Sequence, residues 1–256
     1  MALAGTAWRW VAATAQSQLG SRVGLGPQGV LVTDIDPRFL ESLKLPNLEV
    51  RRHHIASDPL PEAFFDLVHS RLVLLHLPER EKALARMVAA LKPGGWLVDE
   101  EFDSSSTPSD PIVNPGETLS KTHIAMTRLM DNHGLDRAYG RRLFGRLRAH
   151  GLTSVAAEGR IFMWHPGCPG ASLLRANYEQ LHSAMIDAGY ITEEDFDRDM
   201  ARLDDPSFMM PSPILLGGLG TAALTEGRFP VGTLPVPFTG VARKLRIFRG
   251  EAGYRP

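Results

Sequence analysis

The sequence predicts an α/β fold with a doubly wound, mainly parallel sheet. Two observations carry this: between Val30 and Val98 short apolar, β-branched runs alternate with helix-period stretches, and Gly/Pro clusters punctuate the joins. Val30–Thr33 follows the turn Gly26-Pro27-Gln28-Gly29 and ends in Asp34-Ile35-Asp36-Pro37, the pattern of a buried strand running into a helix start. Arg38 to Leu43 gives a short helix before Pro46. Leu48 to Ile55 alternates in polarity as a second strand, and Phe65 to Ser70 reads as a third. Pro78-Glu79-Arg80-Glu81 opens a helix with Ala83, Leu84, Met87, Val88 and Leu91 at helical spacing. Lys92-Pro93-Gly94-Gly95 stops it, and Trp96-Leu97-Val98 starts a fourth strand. Right-handed crossovers would bring Asp34, His54, Ser70 and Glu100 to one edge, where open α/β sheets hold their ligands.

After Asp103 the pattern changes. A polar loop, Ser104 to Pro111, precedes helices over Glu117–His133 and Arg141–His150. A strand is expected within Ser154–Trp164, then helices over Leu173–Ala188 and from the capping-box residue Thr192 to Leu203. Asp205 to Leu216 fits the approach to a last antiparallel strand. At the other end, Ala7, Trp8, Val11, Ala12 and Ala15 have helical spacing and predict a helix. The expected organisation is one domain over 1–256, with a core of 1–103 and about 140–216. A helical lid insertion occupies about 104–139, and an atypical Gly/Pro-rich tail occupies 217–256.

Composition narrows the function. Lys and Arg total 28 against 29 Asp and Glu, a net charge of −1 that argues against a nucleic-acid coat. The single cysteine, Cys168, cannot form an internal disulfide or a cysteine-based zinc site. The histidines and carboxylates show no metal-ligand spacing, so no metal is expected. No apolar run reaches the ~18 residues of a membrane span, and the start lacks the basic-then-apolar order of a signal peptide. A cytoplasmic protein without nucleic-acid or membrane partners is the expectation.

An acidic residue at the end of such a strand commonly accepts hydrogen bonds from ribose hydroxyls, which makes Asp34 a candidate; the other reading of Asp34 and Asp36 is a cap for the helix after Pro37. The segments Gly29–Leu40, Leu48–Ile55, Phe65–Arg71, His76-Leu77-Pro78 and Leu91–Leu97 occur in an order and spacing that resembles the class I S-adenosylmethionine-dependent methyltransferases, in particular their bacterial small-molecule branch. The resemblance covers residues 29 to 103 and extends less specifically to about 215. It implies a Rossmann-like sheet, S-adenosylmethionine as cofactor and a small-molecule methyl acceptor. Asp34 would take the ribose hydroxyls and Ile35 would pack on adenine. His54 and Ile55 stand where the family has Asp and an apolar residue, so a neutral imidazole would replace the carboxylate that accepts from the adenine amino group. Ser70 and Arg71 would lie near the methionine part. His76 and one of Glu100 and Glu101 would face the reacting centre, only one of the two glutamates because adjacent strand residues point to opposite faces. His76 has an alternative reading as a buried histidine bonded to a backbone carbonyl. Met126, Leu129 and Met130 would line an acceptor pocket or serve as helix-packing core.

One departure is large. The family's first strand and the Gly-rich loop after it have no counterpart; Gly5 alone could be a remnant of that loop. A sheet without its central strand has unpaired backbone on both sides of the gap unless another segment fills it. A late start, a degenerate homologue and a rearranged protein would each give this pattern. The expected activity is in-line methyl transfer to an O, N or C nucleophile, driven mainly by alignment and exclusion of water. The alternatives are a non-catalytic methyltransferase-like binding module, and a different enzyme on the same scaffold. No Gly-x-Ser-x-Gly elbow or dinucleotide fingerprint supports a hydrolase or a nicotinamide dehydrogenase. The incomplete sheet and the apolar Trp8/Trp10 segment make a homodimer possible.

Overall fold

The computed structural model describes residues 10–14, 29–40, 48–105 and 120–223. A seven-stranded sheet runs through the molecule. In chain order its strands are β1 (Trp10–Thr14), β2 (Val30–Asp34), β3 (Leu48–Arg52), β4 (Phe65–Arg71), β5 (Leu91–Asp103), β6 (Thr153–Arg160) and β9 (Ile214–Thr221). Their spatial order is β3-β2-β1-β4-β5-β9-β6. β7 (Met163–Trp164) and β8 (Met210–Pro211) form a separate two-stranded pair.

β2–β3 and β4–β5 are parallel, as the alternation of strand and helix predicts. The expected central gap is absent. Trp10–Thr14, read from spacing as part of a helix, is a strand that pairs with β2 on one side and β4 on the other, antiparallel to both. A slot between two strands offers two rows of unsatisfied N–H and C=O groups, and filling it completes both ladders. Five residues fit a helical or an extended period equally well, so that pairing decides the outcome. The reversal matters: Trp10 lies opposite Arg71 at the carboxyl ends of β2 and β4, whereas Thr14 lies opposite Val30 at the far edge. Gly5 and the rest of the predicted N-terminal helix lie outside the described residues.

The remaining elements are α1 (Arg80–Ala89), α2 (Lys121–Asn132), α3 (Tyr139–Ala149), α4 (Pro169–Asp187) and α5 (Glu193–Arg202). Arg38–Leu43 shrinks to a 3-10 turn over Pro37–Phe39. Lys92–Gly95 does not delay the fourth parallel-sheet strand, which already begins at Leu91. The last strand carries on to Thr221, so the tail boundary expected at 217 falls inside β9.

Two cores organise these elements. One packs α1 and α3 on the sheet, with Val68, Leu84, Met87, Leu97, Leu143 and Leu147 fully or almost fully buried. Each such side chain is worth roughly 1.5–3 kcal/mol of hydrophobic free energy. Gly140 lets α3 approach β5 closely: a Cβ there would stand 2.8 Å from the Glu101 carbonyl oxygen. The second core joins α2, α4 and α5 around Met126, Leu129, Tyr178, Met185 and Phe196. α4 and α5, expected within the sheet-bearing core, thus pack with α2. Met126 and Leu129 are core residues of this cluster and half-buried Met130 packs against it, which settles their second reading.

The loop between α2 and α3 ties the two cores together. Ser104 N–H donates to the Arg137 carbonyl at 2.9 Å, and Asp136 N–H donates to the Leu75 carbonyl at 2.8 Å. Arg80 donates to the Gly134 carbonyl at 2.5 Å and the Leu74 carbonyl at 3.2 Å. The helical cluster is therefore anchored at the end of β5 and at the turn that carries His76.

Candidate active site

The carboxyl ends of the parallel strands gather the predicted residues. Asp34 and Arg52 are register partners at the ends of β2 and β3, and Arg71 and Glu100 on β4 and β5. His53 N–H donates to the Asp34 carbonyl at 2.9 Å, which places His53 and His54 directly beside the end of β2.

Asp34 is half-buried and its Oδ1 accepts the Asp36 N–H at 2.8 Å. Asp36 is the residue that caps the turn after Pro37: its carboxylate accepts from Arg38 N–H at 3.4 Å and from Arg38 Nε at 2.7 Å. Arg38 holds the Asp36 carboxyl below the usual range. The capping role thus falls to Asp36. Ile35 is half-buried, its carbonyl accepting from Arg52 Nε at 3.1 Å.

His54 is half-buried; its N–H donates to Asp58 Oδ2 at 2.8 Å, and its Nδ1 is buried with no hydrogen-bond partner among the described residues. A buried ring nitrogen left unpaired beside the end of β2 is a group whose hydrogen-bond partner a ligand would supply. Ile55 is buried in the sheet core with Ala56, so it supports the site from beneath.

On β4 and β5 the alternation of side chains splits the candidates between two faces. Glu100 sits on the same face as His69 and Arg71: its Oε2 is 3.0 Å from His69 Nε2 and 3.1 Å from Arg71 Nη1. Although burial opposes it, these partners lower the Glu100 carboxyl to about 2, so it is a fixed anion. Ser70 faces the other way. It is fully buried and its hydroxyl donates to Asp99, so it is turned away from the ligand edge and the cofactor contact expected of it is not available.

Glu101 shares that inner face and is fully buried. Its Oε1 accepts from Val73 N–H at 3.1 Å and Leu74 N–H at 2.7 Å, and its Oε2 from Leu75 N–H at 3.3 Å. These are the amides of the 3-10 turn Leu74–His76. Glu101 is therefore a positioning residue that fixes the turn bearing His76, and the reacting-centre role expected of it is excluded by its burial and full occupancy. His76 itself is half-buried at the end of that turn, its N–H donating to the Val73 carbonyl at 3.2 Å.

Sequence reasoning missed the cluster beneath this turn. Asp99, Glu101 and Tyr139 are buried together on the α3 side of the sheet, and Asp99 Oδ2 and the Tyr139 hydroxyl lack partners among the described residues. Burial, with mutual repulsion, raises both carboxyls: Asp99 to about 7, and Glu101 well above the carboxylate range against the pull of three amide donors. The signal was present in the strand parity, because Leu97, Asp99 and Glu101 share a face with a core leucine. Beyond them Asp103, also buried, accepts from Arg141 Nε at 2.6 Å and from Ser105 N–H at 3.0 Å.

Residues 15–99 match the family model described as a methyltransferase domain. Methyltransferase str2 of Strobilurus tenacellus is 31% identical over 121 residues, 47% of this chain and 43% of that protein. The ubiquinone/menaquinone biosynthesis C-methyltransferase UbiE of Yersinia enterocolitica is 29% identical over 175 residues, 65% of this chain and 58% of that protein. The chain thus spans about half the length of these curated relatives. Among solved structures, the YcgJ protein of Bacillus subtilis aligns at 14% identity and a TM-score of 0.44, covering 73% of this chain and 76% of that one. The segment that leads from β1 into β5 is thus similar in sequence to a methyltransferase domain.

Proposed function

We propose that the chain binds S-adenosylmethionine and transfers its methyl group to a small-molecule O, N or C nucleophile. The observation that carries this reading is the pairing of half-buried Asp34 with the orphaned His54 Nδ1 beside the same strand end. These groups fit the nucleoside half of the cofactor: a carboxylate for the ribose hydroxyls, a ring nitrogen for the adenine amino group and Ile35 for the adenine face. When bound, the cofactor supplies an electrophilic methyl on a sulfonium that is already a good leaving group.

The chain's own residues then have three tasks. Asp34, Ile35 and His54 orient the nucleoside. Arg71, half-exposed and held by Glu100, offers a cation at the edge where the methionine end would lie. Glu101 holds the Leu74–His76 turn in place, and His76 at its end would take a proton from an acceptor that must lose one. Glu100, ion-paired and ionised down to about 2, is too weak a base for that task and supplies a fixed field. Alignment and exclusion of water provide most of the acceleration.

Calorimetric titration with S-adenosylmethionine and S-adenosylhomocysteine tests the reading. Saturable micromolar binding that weakens roughly 10- to 100-fold in Asp34→Ala is expected, the loss for a charged hydrogen-bond acceptor. A folded chain that binds neither compound refutes it.

One observation favours a second reading, a methyltransferase-like binding module without transfer activity. β1 runs opposite to its neighbours, so its Thr14 end leaves the sheet away from Asp34 and Arg71. A Gly-rich loop following that strand would then not begin at the ligand edge. Cofactor binding without methyl transfer to any of a panel of phenols, amines and carbon acids would select this reading.

A further inference from the structure

Among the described residues the seven-stranded sheet has two outer strands, β3 and β6. An outer strand shows a row of unpaired N–H and C=O groups, and proteins commonly guard it with charge, proline or brevity. β3 is guarded: it is five residues long, and Glu49, Arg51 and Arg52 are exposed and charged. β6 is longer and less guarded. Its eight residues include one acid and one base, Glu158 and Arg160, which pair with each other. Ala156 and Ala157 point to opposite faces and both are exposed, so the strand is open on both faces there.

The same edge runs on past β6. Phe162 N–H donates to Ser212 Oγ at 3.0 Å, and the Phe162 carbonyl accepts from Ser212 N–H at 2.7 Å. Met163 and Trp164 then pair with Pro211 and Met210, one residue out of register with the β6–β9 ladder. Trp164 turns into the helical cluster, whereas Ile161, Phe162 and Met163 keep about half of their surface exposed. Three large apolar side chains thus follow directly on a stretch of small, uncharged ones.

We infer that β6 is the seam of a homodimer, in which two copies pair antiparallel about a two-fold axis at Gly159. A seam between identical surfaces must complement itself, and this register does. Glu158 of each copy stands opposite Arg160 of the other. Ile161 and Phe162 of each copy cross Ala157 and Ala156 of the other, large side chains over small ones. Opposite charges and close apolar pairs are what stabilise cross-strand neighbours. The seam is shorter than the roughly 20–30 residues a side of a stable interface, so the dimer is a concentration-dependent one. It leaves the Asp34–Glu100 edge open, because β9 stands between β6 and β5.

Sedimentation velocity of the full chain over about 1–200 µM should show a reversible monomer–dimer equilibrium, as suits an interface of this size. Glu158→Arg puts only cations in the seam and Arg160→Glu only anions, so each variant alone should dimerise about tenfold more weakly or worse. Mixed in equal amounts, the two variants regain both opposite-charge pairs and should dimerise as tightly as the parent, a rescue that a misfolded variant would not show. Amide exchange along residues 156–160 of the parent should slow as its concentration rises. A chain still monomeric at about 200 µM, a dimer indifferent to both single reversals, or single variants that stay apart on mixing overturns the inference. Slow exchange of those amides at every concentration overturns it too, because the chain's own residues would then hold the edge. None of these readings uses S-adenosylmethionine, so they fail separately from the Asp34→Ala titration.

Discussion

Replacing Glu101 by alanine removes both oxygens that accept the amides of Val73, Leu74 and Leu75. The turn they belong to is packed under Leu74 and Leu75, both buried, so water cannot readily replace the lost acceptor. Each buried N–H left unpaired costs about 1–3 kcal/mol, which puts the gross loss at about 3 kcal/mol or more. Removing a carboxyl that is costly to bury returns part of it, leaving a net destabilisation of about 2–4 kcal/mol. That is a large share of the ~5–15 kcal/mol that stabilises an ordinary domain. Glu101→Gln keeps one oxygen, enough for Val73 and Leu74, and sets an NH2 against the Leu75 N–H; its cost should be about 1–2 kcal/mol. Urea unfolding at neutral pH, followed by circular dichroism with an unchanged denaturant slope, measures both. If Glu101→Ala lies within ~0.5 kcal/mol of the parent, or the glutamine variant is as unstable as the alanine one, the anchoring role is refuted.

Other consequences can be checked in the same way. Glu100 falls from its ordinary 4.5 to about 2 on folding, so it contributes stability above pH 4.5 that is lost as the pH drops towards 2. The loss is about 3 kcal/mol, and Glu100→Gln should flatten that limb of an acid-unfolding curve. Asp99 shifts the other way, to about 7, so the parent binds a proton on folding and loses stability as the pH rises from 4 through 7. Asp99→Asn should remove that slope and gain on the order of 2 kcal/mol over the parent at pH 8; an unchanged slope would place the proton elsewhere. Gly140→Ala should destabilise by about 1–3 kcal/mol despite alanine's better helix propensity, because its Cβ would meet the backbone of Glu101 and Phe102 at 2.8–2.9 Å. Thermal unfolding checks it, and a gain in melting temperature would contradict the close approach.

The strands and helices between Val30 and Leu203 were legible because each has a clear period and a chemical stop, such as Gly134 after α2 or Gly151 after α3. The ligand edge was legible too, since parallel crossovers oblige Asp34, Arg71 and Glu100 to share it. Three features were not. The direction of β1 depends on a vacancy between strands far apart in sequence, which no local pattern encodes. The grouping of α2 with α4 and α5 depends on which apolar faces meet, and amphipathic periods state only that each face must be covered. Glu101 was placed at the reacting centre because it ends a strand at the right edge; its task is set by the amides of residues 73–75, which belong to a different element. Ser70 failed for a related reason, its parity with Asp99 carrying it inward.

The reversed β1 also decides which of its ends stands at the ligand edge. Its first residue, Trp10, lies beside Arg71, whereas a parallel strand in the same slot would have put its last residue there. A label carried at position 10 itself would therefore sit at the Arg71–Glu100 edge, where it would report occupancy.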